Sequence, residues 1–301
     1  MSAFAADRHL LQSGPYAATF LPLRGMLCAS LRHRDVEILR CIDDLPAAAA
    51  AGDSAGVPLL HPWANRLSTW QYRAAGHDVV LDRASPLLHA DWHDLPIHGV
   101  PWSRLDWTPL AATRDRLSAQ LDWTAPQLLD IFPYPHTVRM DAALDGGGLT
   151  ITTSIQALDT ASVPISFGFH PYVGLPDLPR QQWQLMLPRM RRLQLDDQLI
   201  PTGRSEDFPA MDGPLGTLEF DDGFAIEGDT ATLAIAGGGR RVAVSFLHGY
   251  DHAQIYAPLD RDIIALEPMT APTNALVTGD DLRLVPPGGH FEAAFRISVD
   301  V

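Results

Sequence analysis

The feature that most limits how this chain can fold is an apolar alternation of period two, interrupted by glycine-rich turns. Apolar side chains occupy every second position from Val138 to Leu144, and the alternation resumes from Leu149 to Ile155. Between the two segments stands Asp145-Gly146-Gly147-Gly148. Successive side chains of a strand point to opposite faces, and glycine supplies the positive φ angles of tight hairpin turns. The pattern therefore predicts a β-hairpin.

The same pattern recurs along the chain and predicts an all-β fold. A second hairpin is expected from Leu233 to Val244 around Gly237-Gly238-Gly239, and a third around Gly76. Residues 117–123 and 291–301 also resemble strands. Twenty-five prolines and 23 glycines leave little room for a sustained 3.6-residue period, and the alanine-rich segment 46–52 is expected to be a loop. Many short strands favour a large antiparallel β-sandwich, formed as one domain over residues 1–301.

Composition narrows the classes of function. The chain has 301 residues, 46% of them hydrophobic, and a formal net charge of −14, which opposes binding to nucleic acid or to an anionic membrane surface. It lacks an apolar run of ~18 residues, which a membrane span requires, and its first residues lack a basic-then-apolar leader pattern. The expected location is the cytoplasm. Cys28 and Cys41 are too few for a disulfide framework or a thiolate metal site and are expected to be buried free thiols.

Four short stretches set a titratable side chain beside glycine, proline or an aromatic residue, which suits the rigid rim of a site. Each also has an ordinary structural explanation, such as a salt-bridged arginine, a turn histidine or a solvated strand end. Structural roles are expected for five further histidines, namely His61, His93, His136, His252 and His290. The sequence contains no HxH or HExxH spacing, so it does not predict a metal site. The four stretches are Pro62-Trp63-Ala64-Asn65-Arg66, Ile97-His98-Gly99-Val100-Pro101-Trp102, Phe167-Gly168-Phe169-His170-Pro171-Tyr172 and Leu266-Glu267-Pro268-Met269-Thr270-Ala271-Pro272-Thr273-Asn274-Ala275.

Taken together, these stretches resemble the aldose 1-epimerase (galactose mutarotase) family. Order and spacing match from about residue 58 to about residue 276. Two departures concern substrate preference more than chemistry: Val100 stands where a second glycine is expected after His98-Gly99, and the asparagine common before the Pro164 stretch is missing. Supporting pieces between the four stretches are Pro133-Tyr134-Pro135, Leu199-Ile200-Pro201-Thr202-Gly203 and Asp221-Asp222-Gly223-Phe224.

The resemblance implies a fold and a set of roles. The fold would be a β-supersandwich of the galactose mutarotase type. His170 would be the general acid and Glu267 the general base, while Arg66, His98 and Asp221 would bind the hydroxyl groups of the sugar. Asp222, adjacent to Asp221, is an alternative for the last role. The reaction would interconvert the α and β anomers of a free aldose, without a cofactor or a metal, and the protein would be a monomer or a homodimer.

This reaction explains why an acid and a base are needed together. Opening a cyclic hemiacetal removes a proton from the C1 hydroxyl and delivers one to the ring oxygen. In the sugar-bound state, a neighbouring carboxylate, Asp221 or Glu267 itself, is expected to keep the imidazole of His170 protonated near neutral pH. Trp63, Phe169 and Tyr172 are candidates for stacking on the sugar ring, although each is equally suited to the core.

Two other functions remain open at this stage. A hexose 6-phosphate is an alternative substrate if additional basic residues around the pocket bind the phosphate group. Arg104 and the run Arg189-Met190-Arg191-Arg192 are the candidates, although such a run is more often a solvated edge strand. A carbohydrate-binding or sugar-sensing protein without catalysis is the other alternative, but it would not need both His170 and Glu267.

Overall fold

The computed structural model describes residues 7–39, 45–51, 54, 56–158 and 161–301. Over these residues short strands dominate, and the helices are brief. The helices are α1 (Leu45–Ala51), α2 (Pro126–Leu129) and α3 (Ala275–Thr278), with 3-10 turns at Trp102–Arg104 and Arg180–Gln182. The strands are β1 (His9–Ser13), β2 (Tyr16–Leu21), β3 (Leu27–His33), β4 (Val36–Glu37), β5 (Leu59–Leu60), β6 (Gln71–Ala74), β7 (His77–Val80), β8 (Thr108–Ala112), β9 (Arg116–Trp123), β10 (His136–Asp145), β11 (Gly148–Ala157), β12 (Val163–Ile165), β13 (Gly168–Phe169), β14 (Tyr172–Val173), β15 (Gln184–Leu187), β16 (Met190–Leu195), β17 (Pro201–Phe208), β18 (Met211–Pro214), β19 (Phe220–Ile226), β20 (Ala231–Gly237), β21 (Arg240–His248), β22 (His252–Ala257), β23 (Ile264–Met269), β24 (Arg283–Val285) and β25 (His290–Asp300).

Two large antiparallel sheets form the framework. One has the order β18-β15-β20-β21-β25-β11-β10-β9-β8, and the other has the order β17-β16-β19-β22-β23-β13-β5, with β14 also paired to β23. The rings of Phe169 from the second sheet and Phe295 from the first lie 5.0 Å apart, within one continuous apolar core. The predicted all-β sandwich is therefore confirmed. We call the second sheet the site sheet, because four of its strands carry the residues discussed below.

The three predicted hairpins are present, and their registers explain the glycines. Strands β10 and β11 pair from His136↔Ala157 to Asp145↔Gly148. A Cβ on Gly148 would lie 2.3 Å from the carbonyl oxygen of Ile297 on the neighbouring strand, so a side chain is excluded there. In the β20–β21 hairpin the two turn residues, Gly238 and Gly239, have φ of 58° and 76°. Positive φ at both central residues matches the right-handed twist of the flanking strands.

The alanine-rich segment is a correction to the sequence-based expectation. A loop was expected over residues 46–52, but Leu45–Ala51 forms helix α1, and Gly52 lies outside the described residues. Alanine has the highest helix propensity, and a proline in the first turn removes no hydrogen bond that the helix needs. Ala49 packs against Leu21 and Trp102, which supplies the tertiary contact that so short a helix requires.

Two further expectations concern single residues. Cys28 is buried as predicted, and its Sγ donates to the carbonyl of Ser30 (3.5 Å), whereas Cys41 lies outside the described residues. The arginine run was expected on an edge strand, but β16 lies between β17 and β19, and β17 is the edge. Across the described ranges, every helix falls short of the length and apolar character that crossing a bilayer demands.

Candidate active site

The histidine and the glutamate that were singled out face each other. Glu267 lies on β23, and His170 follows β13, which pairs with β23 through Gly168 and Met269. The Nε2 atom of His170 is 3.2 Å from Oε1 of Glu267, and both side chains are buried. Among the residues that the structure describes, Nδ1 of His170 and Oε2 of Glu267 have no hydrogen-bond partner. Buried polar atoms are almost always satisfied, so this pair has capacity for groups supplied by a ligand.

Two loops bring Arg66 and His98 to the same place. The backbone N–H of His98 donates to the carbonyl of Asn65 (2.9 Å), and the N–H of Asn65 donates to Nδ1 of His98 (3.1 Å). Gly99 is required here, because a Cβ at φ 62° would lie 2.5 Å from the carbonyl oxygen of His61. Since Nδ1 of His98 accepts a hydrogen bond, its neutral ring carries the proton on Nε2.

The segment after Glu267 fixes the arginine loop from the other side. The backbone N–H of Asn274 donates to the carbonyl of Arg66 (3.0 Å), and Oδ1 of Asn274 accepts from the N–H of Ser68 (2.8 Å). Hydrogen bonds around Arg66 therefore join three of the four stretches recognised in the sequence. The contact of His170 with Glu267 joins the fourth stretch to them.

The guanidinium of Arg66 is held on several sides. Its Nε donates to Oδ2 of Asp91 (2.6 Å) and its Nη1 to Oδ1 of Asn65 (3.1 Å). The indole of Trp92 lies over it, with the ring centroid 4.9 Å from Cζ. The remaining nitrogen, Nη2, lies 3.8 Å from Oδ2 of Asp221. Arg66 is thus a fixed cation with one nitrogen directed toward Asp221.

The choice between the two adjacent aspartates follows from strand alternation. On β19, Asp221 and Asp222 point to opposite sides. Asp221 lines the pocket and accepts a hydrogen bond from Nε2 of Gln254 (2.8 Å), whereas Asp222 is paired with Arg192 (2.7 Å). The structure therefore places Asp221, and not Asp222, beside the histidine–glutamate pair.

All five residues singled out in the sequence line one pocket of about 190 Å³. They come from β19, β23, the end of β13 and two loops. The described residues around the pocket are Asn65, Arg66, Trp92, Ile97, His98, His170, Tyr172, Asp221, Gln254, Tyr256, Arg261 and Glu267.

Burial sets the protonation of the central groups. Desolvation lowers the pKa of His170 to about 3. It also raises the pKa of Glu267 well above the usual value, and the nearby charge of Asp221 raises it further. The pKa of His98 is lowered, first by burial and then by His170, and that of Asp221 is raised, mainly by burial. Enclosure therefore favours the neutral forms of both partners, with the proton on Glu267. The expectation of a protonated His170 concerns the sugar-bound state and stays a prediction.

Sequence reasoning missed several pocket residues and left the three stacking candidates open between pocket and core. Gln254 and Tyr256 lie on β22, where polar or aromatic residues at every second position of a buried strand were an available signal. Trp92 lies in a polar loop without a recognisable pattern. Of the stacking candidates, Trp63 and Phe169 are fully buried in the core, and Tyr172 lines the pocket.

The candidate phosphate-binding arginines lie elsewhere. Among the described residues, the pocket lining includes neither Arg104 nor the run from Arg189 to Arg192. Arg189 and Arg191 pair with Asp207, while Arg192 pairs with Asp222. A different arginine, Arg261, lines the rim with its side chain half exposed. Groups of histidine, cysteine and carboxylate residues suited to a metal ion do not occur within the described ranges.

Comparison with known proteins gives a consistent result. The family model described as aldose 1-epimerase matches residues 12–298 of the chain. The uncharacterized protein YihR of Escherichia coli (strain K12) is 24% identical over 257 residues, which cover 80% of each chain. The solved structure of the Slr1438 protein from Synechocystis sp. PCC 6803 is 25% identical, with a TM-score of 0.78 and coverage of 97% of this chain and 95% of that one. A galactose mutarotase-like protein from Clostridium acetobutylicum shares the fold, with a TM-score of 0.81 at 17% identity over 97% and 94% of the two chains.

Proposed function

The chain belongs to the aldose 1-epimerase family, and from this premise we propose that it is an isomerase that interconverts the α and β anomers of a free aldose. The observation that carries the proposal is the contact of 3.2 Å between Nε2 of His170 and Oε1 of Glu267 at a pocket of about 190 Å³. The pocket suits one sugar ring. The proposed binding groups for its hydroxyls are Arg66, His98 and Asp221.

The chemistry needs one proton accepted and one donated in the same step. Glu267, as carboxylate, takes the proton of the C1 hydroxyl while His170, as imidazolium, gives a proton to the ring oxygen, and the bond from C1 to the ring oxygen breaks. Rotation about C1–C2 presents the other face of the aldehyde, and closure returns both protons. Because acid and base exchange one proton each, the total carried by the pair does not change.

The resting form of the pair is one proton transfer away from the reactive form. Burial leaves the proton on Glu267 and His170 neutral, and transfer across their 3.2 Å contact gives the carboxylate and the imidazolium. We propose that sugar hydroxyls at the unpartnered Nδ1 of His170 and Oε2 of Glu267 stabilise this charged form, because hydrogen bonds favour the charged state of a buried group.

The test is mutarotation of freshly dissolved α-D-glucose and α-D-galactose, followed by polarimetry with and without the protein. We expect acceleration by the wild type and a loss of roughly 10²–10⁴-fold in kcat with Glu267→Gln, which keeps the shape of the side chain and removes the base. An unchanged rate with the wild-type protein, or near-wild-type turnover by Glu267→Gln, would exclude this function. Retained sugar binding without turnover would support a sensing protein instead.

The phosphorylated substrate is tested in the same assay. Arg261 is a cation at the pocket rim, and its Nε lies 3.5 Å from Oδ2 of Asp260. One such arginine is less than the clustered basic residues that a dianion requires, so we expect glucose or galactose to have a higher kcat/KM than glucose 6-phosphate. A strong preference for the phosphate that Arg261→Ala abolishes would reverse this assignment of the substrate.

A further inference from the structure

We propose that Asp91 is a positioning residue for the active site, which acts by holding the guanidinium of Arg66 in the orientation that binds the sugar. The inference rests on the proposed function and adds to it a residue that has no counterpart among the sequence motifs. Asp91 lies in the loop between β7 and the His98 segment. Its side chain and that of Arg66 are 2% and 4% exposed.

The carboxylate divides its two oxygens between two tasks. Oδ2 accepts the hydrogen bond from Nε of Arg66 (2.6 Å). Oδ1 accepts the backbone N–H groups of His93 (2.9 Å) and Leu95 (3.1 Å). One side chain therefore fixes both the arginine and the loop. Burial alone would raise the pKa of Asp91, but the hydrogen bonds from Arg66, Leu95 and His93 outweigh burial and lower it, so it remains a carboxylate.

The loop that Asp91 holds also contains Trp92, the residue whose side chain covers Arg66. Trp92 follows Asp91 directly, and its indole lies on the face of the guanidinium with 4.9 Å between Cζ and the ring centroid. Trp92 is 72% exposed, so its other surface faces solvent. The indole shields Arg66 from water, and an ionic contact is stronger where water is excluded.

The pairing of Arg66 with Asp91 also affects the hydrogen-bonding capacity of Asp221. Arg66 lies between two carboxylates, with 2.6 Å to Asp91 and 3.8 Å to Asp221. Because the nearer carboxylate neutralises the guanidinium, Asp221 keeps hydrogen-bonding capacity for a hydroxyl group. Without the charge of Asp91, attraction would draw Arg66 and Asp221 together, and two groups that bind sugar would satisfy each other instead.

The variant Asp91→Asn separates the two tasks. Its amide oxygen can still accept the backbone N–H groups of His93 and Leu95, but its NH₂ group then faces the N–H of Arg66, donor against donor. We expect kcat/KM for D-galactose to fall by about 10- to 100-fold, mostly through KM, because a binding group displaced by about 1 Å loses orientation of the substrate. Thermal unfolding is followed alongside, and Asp91→Ser, which keeps an oxygen acceptor for the loop, replaces the asparagine if that variant does not fold.

A double-mutant comparison distinguishes positioning from a structural role. If Asp91 acts through Arg66, adding Asp91→Asn to Arg66→Ala changes kcat/KM by no more than about twofold beyond Arg66→Ala alone. The matched control is Asp94→Asn, in the same loop, whose carboxylate pairs with Arg83 at the surface and which we expect to match the wild type within about twofold.

The outcomes separate the two proposals. An active wild type with unaltered KM and kcat in Asp91→Asn overturns the role of Asp91 and leaves the proposed function intact. Effects of Asp91→Asn and Arg66→Ala that simply multiply in the double variant also overturn it, since they show independent action. A wild type that does not accelerate mutarotation of either sugar overturns the proposed function itself.

Discussion

Two buried pairs of titratable residues in this protein each contain a histidine whose pKa is lowered by burial, but the two pairs differ in their surroundings. In one, Nε2 of His61 lies 3.0 Å from Nε2 of His136, and in the other His170 contacts Glu267. Burial lowers the pKa of both histidines in the first pair, to about 4 for His136, as it lowers that of His170. Over the described ranges, each pair also contains a buried nitrogen without a hydrogen-bond partner, Nδ1 of His61 and Nδ1 of His170.

The difference lies in the second group and in the space around it. Aromatic rings enclose the first pair: Trp123 stacks on His136 at an angle of 18°, and Trp123 also meets His61 edge to face. The second pair joins a histidine to a carboxylate, which allows a proton to change position, and it lines a pocket. A displaced pKa and an unsatisfied nitrogen therefore do not identify a catalytic histidine by themselves. A proton-sharing partner and access for a substrate are needed as well.

The largest expected effect separates the two pairs by activity. His170→Asn should lower kcat for mutarotation by roughly 10²–10⁴-fold, because it removes the proposed acid. His136→Gln should leave kcat within a few-fold of wild type and lower the melting temperature instead, because it disturbs the core. Polarimetry and circular dichroism measure the two quantities. An equal loss of kcat in both variants would show that the enclosed pair also takes part in the reaction.

The next effect is the loss of stability at acidic pH that we expect from the enclosed pair, His61 and His136. The pKa of His136 falls from 6.5 to about 4 on burial, so between these values the unfolded chain binds a proton that the folded chain does not. The contribution of His136 to the free energy of unfolding should consequently decrease by about 3 kcal/mol as the pH falls from 6.5 toward 4. Urea unfolding across this range measures the slope, which His136→Gln should reduce and His290→Gln, a change at an exposed histidine, should not. A slope that is unaffected by His136→Gln would contradict the assignment.

A smaller effect is expected at the pocket wall. Arg66→Ala should raise KM for galactose by about 10- to 100-fold, and more than Glu267→Gln does, because an orienting group contributes mainly to binding. Initial rates over a range of sugar concentrations separate KM from kcat. A loss confined to kcat would move Arg66 from substrate binding to the chemical step.

The smallest effect is a shift in the pH profile of kcat, which we expect to depend on the pair that lines the pocket, His170 and Glu267. The raised pKa of Glu267 depends first on burial and then on the charge of Asp221. Deprotonation above this pKa leaves the pair without the proton that it must donate, so activity should decline on the alkaline side. Asp221→Asn removes the neighbouring charge and should shift this decline toward lower pH, as kcat profiles would show. A shift toward higher pH would contradict the coupling between the two carboxyl groups.

Local and distant information contributed differently to what the sequence predicted. The β10–β11 hairpin was predictable because its alternation and its glycines are neighbours in the chain. Helix α1 was not, because its stability depends on the contact of Ala49 with Leu21 and Trp102, which no short window contains. Asp91 is a similar case, since only the fold shows that it reaches Arg66, 25 positions earlier.

The choice of Asp221 over Asp222 shows what strand direction adds to a motif. The two residues are adjacent and chemically identical, and the sequence alone left both open. Their separation follows from the pairing of β19 with β22, which turns Asp221 toward Gln254 and Asp222 toward Arg192. The five residues named from the resemblance lie around one pocket, and their proposed roles await the kinetic tests.

The cross-strand assembly of the pocket links the proposed catalysis to the order in which the chain folds. Gln254 stands opposite Glu267 in the β22–β23 ladder, while Arg66 comes from a loop about 200 positions earlier. Contacts between such distant segments form slowly, because a long stretch of chain must lose its freedom before they are made. During refolding, enzymatic turnover should therefore return only once the site sheet has closed in its final register, after secondary structure has recovered. Recovered turnover is thus a sensitive reporter of the completed sandwich.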